Sequence, residues 1–177
     1  MAPNRPVTRI GDDRYSLRLD AHERRILGSL IDELRDAIRE REDADDAPGW
    51  PGPEGDPADP IARLYPPAFP GDDEKEAAWA DLVRPSLDDA RNRRLDLVAT
   101  TLEAEELDDT AASAWLGTLN DLRLVLGSQL GVMQDEPPAD ADDPDATRRV
   151  IFDYLGWLVG AFVDALGEGL PEAGAAD

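Results

Sequence analysis

The chain has 177 residues, enough for one domain whose core needs no covalent staple. It contains no cysteine and one histidine, His22, which excludes disulfides, thiolate nucleophiles, a thiol redox switch and any multi-histidine metal site within the chain. Its net charge of −22 repels nucleic-acid phosphates and speaks against a DNA-binding surface.

The charge is unevenly placed. Residues 43–58 and 132–144 are acidic, rich in Pro, Gly and Asp, and lack any basic residue, and residues 168–177 form a further acidic tail. Such composition buries too little apolar surface to fold, so a disordered linker, an acidic loop and a disordered tail are expected there. The first 19 residues differ, with Arg5, Arg9, Arg14 and Arg18 forming a small basic patch. That patch is the one electrostatic opening for direct DNA binding.

In chain order, "VTRI" and "YSLRL" flank "GDD", and Tyr15, Leu17 and Leu19 alternate at period two. This predicts a β-hairpin over residues 1–19 that lies on a helical body, since two strands alone are marginal. A first helix is expected over residues 20–42. It opens on the capping box Asp20-x-x-Glu23, and Ile26, Leu27, Leu30, Ile31, Leu34 and Ile38 form its apolar face. His22 falls in the first turn and reads as a surface histidine. Trp50, inside the linker, reads as either a docked side chain or a partner-binding anchor.

A helical body is expected over residues 59–131. In "DPIARLYPPAFPGD" the prolines forbid a long helix, and the segment should cap an open end of the bundle, with Arg63 pairing a buried acid. A short helix around Trp79, Leu82 and Val83 should end or kink at Pro85, with Ser86 capping the next. That next helix carries Leu87, Ala90, Arg94, Leu95, Val98 and Leu102 as its stripe. Asp108 or Asp109 should cap the helix bearing "WLGTLNDLRLVLGSQLG", and Asp145 the last helix, over residues 145–167.

The last helix is apolar nearly all round, apart from a stripe of Asp153, Gly156, Gly160 and Asp164. Such a helix belongs at the centre of a bundle or in an oligomer interface, where it would support a homodimer. Its apolar run, Val150–Leu166, is interrupted by two aspartates and is short for a membrane span. No secretory leader is expected in "MAPNRPVTRIGDD", so the location expected is cytoplasmic. The whole predicts an all-α fold, a single bundle of about five helices behind a small hairpin.

Within Trp115–Gly131, a wheel with Trp115 at 0° centres the leucines near about 40° and puts Arg123 at about 80°, inside the apolar face. Asn120 sits at the edge of that face, and Asp121 points away. A buried guanidinium needs acceptors, so Arg123 is expected to pair with Asp153 or Asp164 and to lock helix register. The other reading is a binding pocket or hydrolytic site for a small ligand near Arg123. No phosphate loop, dinucleotide fingerprint, nucleophile elbow or zinc-protease motif is present, so neither enzyme activity nor a cofactor or metal is expected.

Three stretches, "DPIARLYPPAFPGD", "WLGTLNDLRLVLGSQLG" and "YLGWLVGAFVDAL", in this order, resemble an actinobacterial family formerly known only as a domain of unknown function. That family is now associated with the actinomycete oxidative-stress regulator. The resemblance covers Tyr15–Leu166 and is most specific at Arg63–Phe69 and Trp115–Gly131. It implies a small cytoplasmic helical protein, encoded near the ClpS protease adaptor, that regulates transcription under oxidative stress through thiol oxidation and association with a sigma factor. In a chain without cysteine the implied role is a regulatory or adaptor function by protein–protein contact, with transcription or proteolysis machinery as partner. Arg63, Tyr65, Phe69, Trp115, Asn120, Asp121 and Arg123 carry the family signature.

Overall fold

The computed structural model describes residues 5–45, 61–131 and 144–168. Trp50 and most of the acidic stretches expected at 43–58, 132–144 and 168–177 lie outside them. The described chain runs β1 (Val7–Gly11), β2 (Arg14–Leu17), α1 (Ala21–Asp45), a 3-10 turn (Ala62–Leu64), α2 (Asp73–Thr100), β3 (Glu106–Asp108), α3 (Asp109–Gln129) and α4 (Ala146–Gly167).

Among the described residues the fold is mostly helical, with four α-helices rather than about five and a three-stranded sheet rather than a hairpin. Antiparallel β3 joins the other edge of β2, pairing Leu107 with Tyr15. A strand of three residues with one apolar side chain is too short for period-two alternation to show. Its pairing buries Leu107 beside Tyr15 and Leu17, which settles the marginal hairpin onto the helices.

The helix count falls because α2 runs unbroken through Pro85. Proline removes the amide that would bond to the carbonyl of Asp81, but Pro85 and Asp81 are both exposed, so water can serve that carbonyl. Ser86, expected as a cap, lies inside the helix and donates its hydroxyl to the Val83 carbonyl at 2.7 Å.

Local capping follows the residue types. Asp20 accepts from the amides of His22 (2.7 Å) and Glu23 (2.9 Å), and Glu23 accepts from the Asp20 amide (2.6 Å). These amides hold the Asp20 carboxyl below its ordinary pKa, the Glu23 amide contributing most. Asp108 caps α3 by accepting from the Ala111 amide at 2.7 Å. Asp145 stands at the start of α4 but makes no side-chain cap; it accepts from Arg148 instead.

The centre of the bundle is α3, not α4. Helix α3 touches α1, α2, α4, the 3-10 turn, β2 and β3, whereas α4 packs on α3 and β1. Trp115 on α3 is fully buried, stacks on Phe162 of α4 at 6.0 Å and donates to Thr101 Oγ1 at 2.9 Å. Ala111, Ala114 and Thr118 of α3 are buried as well, and α3 meets α2 at Gly117 and Asp121, where the α2 arginines approach. Helix α4, at 22 residues, is long and apolar enough by composition to cross a membrane. Here it is folded onto the body with Leu155, Leu158, Phe162 and Ala165 buried.

Arg24, in the first turn of α1, is buried despite its charge. Its Nε donates to the Leu19 carbonyl (3.1 Å), and its Nη1 donates to the carbonyls of Leu102 and Ala104. It ties the start of α1 to the α2–β3 turn.

Replacing Pro85 with Ala restores a helical amide at an exposed site and should raise stability by about 1 kcal/mol or more, against the roughly 3 kcal/mol penalty of proline in a helix interior. Urea melts read this directly. A lower midpoint for Pro85→Ala would show that the proline itself contributes to stability at this position.

Candidate functional site

The strongest concentration of interacting polar groups lies where α2, α3 and the proline-rich segment meet. The prolines after Tyr65 prevent that segment from continuing as helix, and its turn closes at Gly71, whose φ of +85° suits glycine. Buried Glu76, in the first turns of α2, accepts from the Phe69 amide at 2.7 Å and pins the turn back onto the helix. The ring of Tyr65 is thereby held against α2.

Three guanidinium groups surround that ring. The Cζ atoms of Arg41, Arg84 and Arg91 lie 5.0, 5.1 and 4.7 Å from its centroid. A π face attracts each cation, and carboxylates offset their mutual repulsion. Tyr65 donates its hydroxyl to Asp88 Oδ1 at 2.7 Å, and Arg91 Nη1 lies 3.6 Å from the same oxygen. Arg91 Nη2 donates to the Leu64 carbonyl at 3.1 Å, and its Nε to Asp121 Oδ2 at 3.3 Å. Arg94 Nη2 donates to that same oxygen. Burial, then the hydrogen bond to Asp88, pushes the Tyr65 hydroxyl well above its ordinary pKa, with Arg91 working the other way.

Arg94 reaches Asp121 by lying across Gly117. A Cβ at that position would meet Arg94 Cδ at 2.8 Å and Nε at 3.0 Å. The glycine in "WLGTLND" therefore clears the path for the guanidinium four residues before its carboxylate.

Beside the cluster is a largely apolar cavity of about 140 Å³, lined by Leu64, Tyr65, Pro66, Trp79, Ala80 and Leu87, with Glu76 and Arg84 as its charged members. Among the described residues no group of three His, Cys, Asp or Glu side chains could hold a metal.

The signature residues do not form one site. Tyr65 and Asp121 join the cluster through Arg91. Trp115 is in the core, Phe69 is partly exposed at the turn, and Arg63 and Asn120 are exposed. Arg63 therefore does not pair a buried acid. His22 is exposed.

The expected roles of Asp121 and Arg123 are reversed. Asp121 is buried and paired, whereas Arg123 is exposed and lies over the Phe152 ring at 4.8 Å, beside Gly156. Asp153 and Asp164 are exposed, and neither pairs with it. Neither described cavity includes Arg123. The wheel counted leucines and so located the α4 side of α3. Asp121 belongs to the side that meets α2, where Gly117 carries no hydrophobic signal.

The residues missed were Asp88, Arg91 and Arg94 within "LDDARNRR", which reads as a solvated charge run. One sign was present, since Arg94 falls in the apolar stripe of its helix. Three of the four hairpin arginines are engaged by neighbouring groups. Arg5 pairs with Glu168, Arg14 with Glu106, and Arg9 donates to the carbonyls of Gly11 and Asp12.

Fold and site together define a small helical bundle with an edge sheet, organised around an arginine–tyrosine–carboxylate cluster rather than around Arg123. The chain belongs to the family described as "Domain of unknown function (DUF2017)", whose profile matches residues 4–166. It is similar to a Mycobacterium leprae protein named "Putative oxidative stress regulator AosR", at 34% identity over 100 residues. That match covers 54% of this chain and 45% of the relative, so the chain spans under half of the relative's length. No solved structure matches.

Two predictions follow from the geometry. Asp121→Ala leaves Arg91 and Arg94 without their shared carboxylate and should cost about 3 kcal/mol, the low end for an uncompensated buried charge because Arg94 keeps contact with water. Arg94→Met should cost less. Urea melts giving the reverse order would refute Asp121 as the common acceptor.

The second concerns alkaline pH. Burial is the first cause of a raised pKa at all three tyrosines, each of which also donates to a carboxylate: Tyr15 to Asp109, Tyr65 to Asp88 and Tyr154 to Glu23. The neutral hydroxyl is favoured by folding. Its contribution is complete below the unfolded value of about 10 and is lost as pH rises through the folded values. Tyrosinate absorbance should therefore appear at higher pH in the folded protein than in the urea-unfolded chain. Ionisation of all three near pH 10 (about the free value) in the folded protein would contradict these contacts.

Proposed function

We propose that this chain is a non-enzymatic regulatory or adaptor protein that acts by protein–protein contact in oxidative-stress-linked transcription. The observation that carries the reading is the similarity to the mycobacterial relative, whose printed name describes an oxidative stress regulator. The mechanism has no thiol step within this chain, because there is no cysteine to oxidise. Partners in the transcription or proteolysis machinery, in the cytoplasm, fit the family resemblance. Direct DNA contact through the hairpin is the weaker reading, since Arg5, Arg9 and Arg14 are turned onto neighbouring groups and the overall field is acidic.

The test is transcript profiling of a deletion strain under peroxide challenge. Altered induction of stress genes, restored by the full chain, is the expected outcome. An unchanged profile would overturn the regulatory reading. Restoration that fails on replacing Arg5, Arg9, Arg14 and Arg18, with promoter mobility shift lost in parallel, would favour DNA contact instead.

A further inference from the structure

The outward face of α4 has no covering element among the described residues. Val150, Trp157 and Val163 are 68%, 50% and 52% exposed. Trp157 leans on Tyr154, with ring centroids 5.7 Å apart. Gly160, also exposed, has open space where a Cβ would stand. On a helix wheel Asp153, Gly160 and Asp164 fall within about 40° of one another, with the apolar residues on both edges. An aromatic anchor, a notch that admits close approach and two flanking carboxylates make an asymmetric, chemically specific face.

We propose that this face docks a basic amphipathic helix of another protein, with apolar side chains packed on Trp157 and Val163 and Lys or Arg residues paired to Asp153 and Asp164. Those aspartates are separated by about 16 Å along α4 at 1.5 Å per residue, which calls for two cationic positions about three turns apart on the incoming helix.

Charge selects this occupant over a second copy. Parallel self-pairing sets each aspartate against its own counterpart. Antiparallel self-pairing centred on Gly160 brings Asp153 of one copy within a helical turn of Asp164 of the other, on the same edge. Both arrangements juxtapose like charges between chains of net charge −22. An anionic lipid surface meets the same repulsion. The proposal rests on the protein-contact reading and names the surface that would serve it.

The experiment places a photo-crosslinking side chain at position 160 of the full-length protein, where the fold has room for it, and maps adducts by mass spectrometry from stressed native cells. The expected adduct is a segment with apolar residues at helical spacing and basic residues about three turns apart. Asp153→Lys combined with Asp164→Lys should cut its yield roughly tenfold or more, and charge reversal on the captured segment should restore it. Trp157→Ala should weaken capture with the wild-type charges in place.

Adducts only to a second copy of the chain, only to lipid, to segments lacking that pattern, or to nothing would overturn the proposal, as would insensitivity to the double charge reversal. A deletion strain that still misregulates stress genes would leave the regulatory reading standing while this surface fails.

Discussion

One carboxylate organises the polar interior. Asp121 on α3 receives Arg91 and Arg94 from α2, and Arg91 in turn holds the Leu64 carbonyl and one side of the Tyr65 ring. A single negative charge thereby fixes α2 against α3 and the proline-rich segment against α2. The constraint is strict because the groups cannot be separated piecemeal. Removing the carboxylate strands two cations in partly desolvated surroundings. The continuity of α2 across Pro85 belongs to the same constraint, since the arginines and the residues gripping Tyr65 lie on both sides of that proline and need one rigid element to carry them.

Small residues set how closely the remaining pieces approach. Gly117 admits Arg94, Gly127 admits the edge of Phe152, and Gly156 admits the guanidinium of Arg123. At each place a glycine on one helix receives a large side chain from another, so helix spacing and register are decided together. Arg123 meets α4 over the Phe152 ring beside Gly156, and not through the expected ion pair. Stacking leaves a guanidinium free to keep its hydration, which is why this arginine can remain exposed.

The two polar features of the molecule differ in kind. The Tyr65 cluster is engaged internally and consolidates the end of the bundle. The face of α4 presents apolar and acidic groups outward. For a protein read as working through contacts, the first supplies a fixed shape and the second a surface that a partner could read.

Helix content, the capping box at Asp20, the Asp108 cap and the polar stripe of α4 were legible in the sequence, because each depends on residues within a few positions of one another. So were the negatives that follow from composition, chiefly the lack of any thiol. Tertiary structure alone decided that α3 is buried on the side that meets α2 as well as on its leucine side, since elements from along the whole chain surround it and Gly117 there carries no hydrophobic signal. It also decided that Leu107 completes a sheet, that Pro85 does not end a helix, and that Asp121 rather than Arg123 is the buried charge. For Leu107 and Asp121 the deciding partner lies far along the chain, where no local period records it.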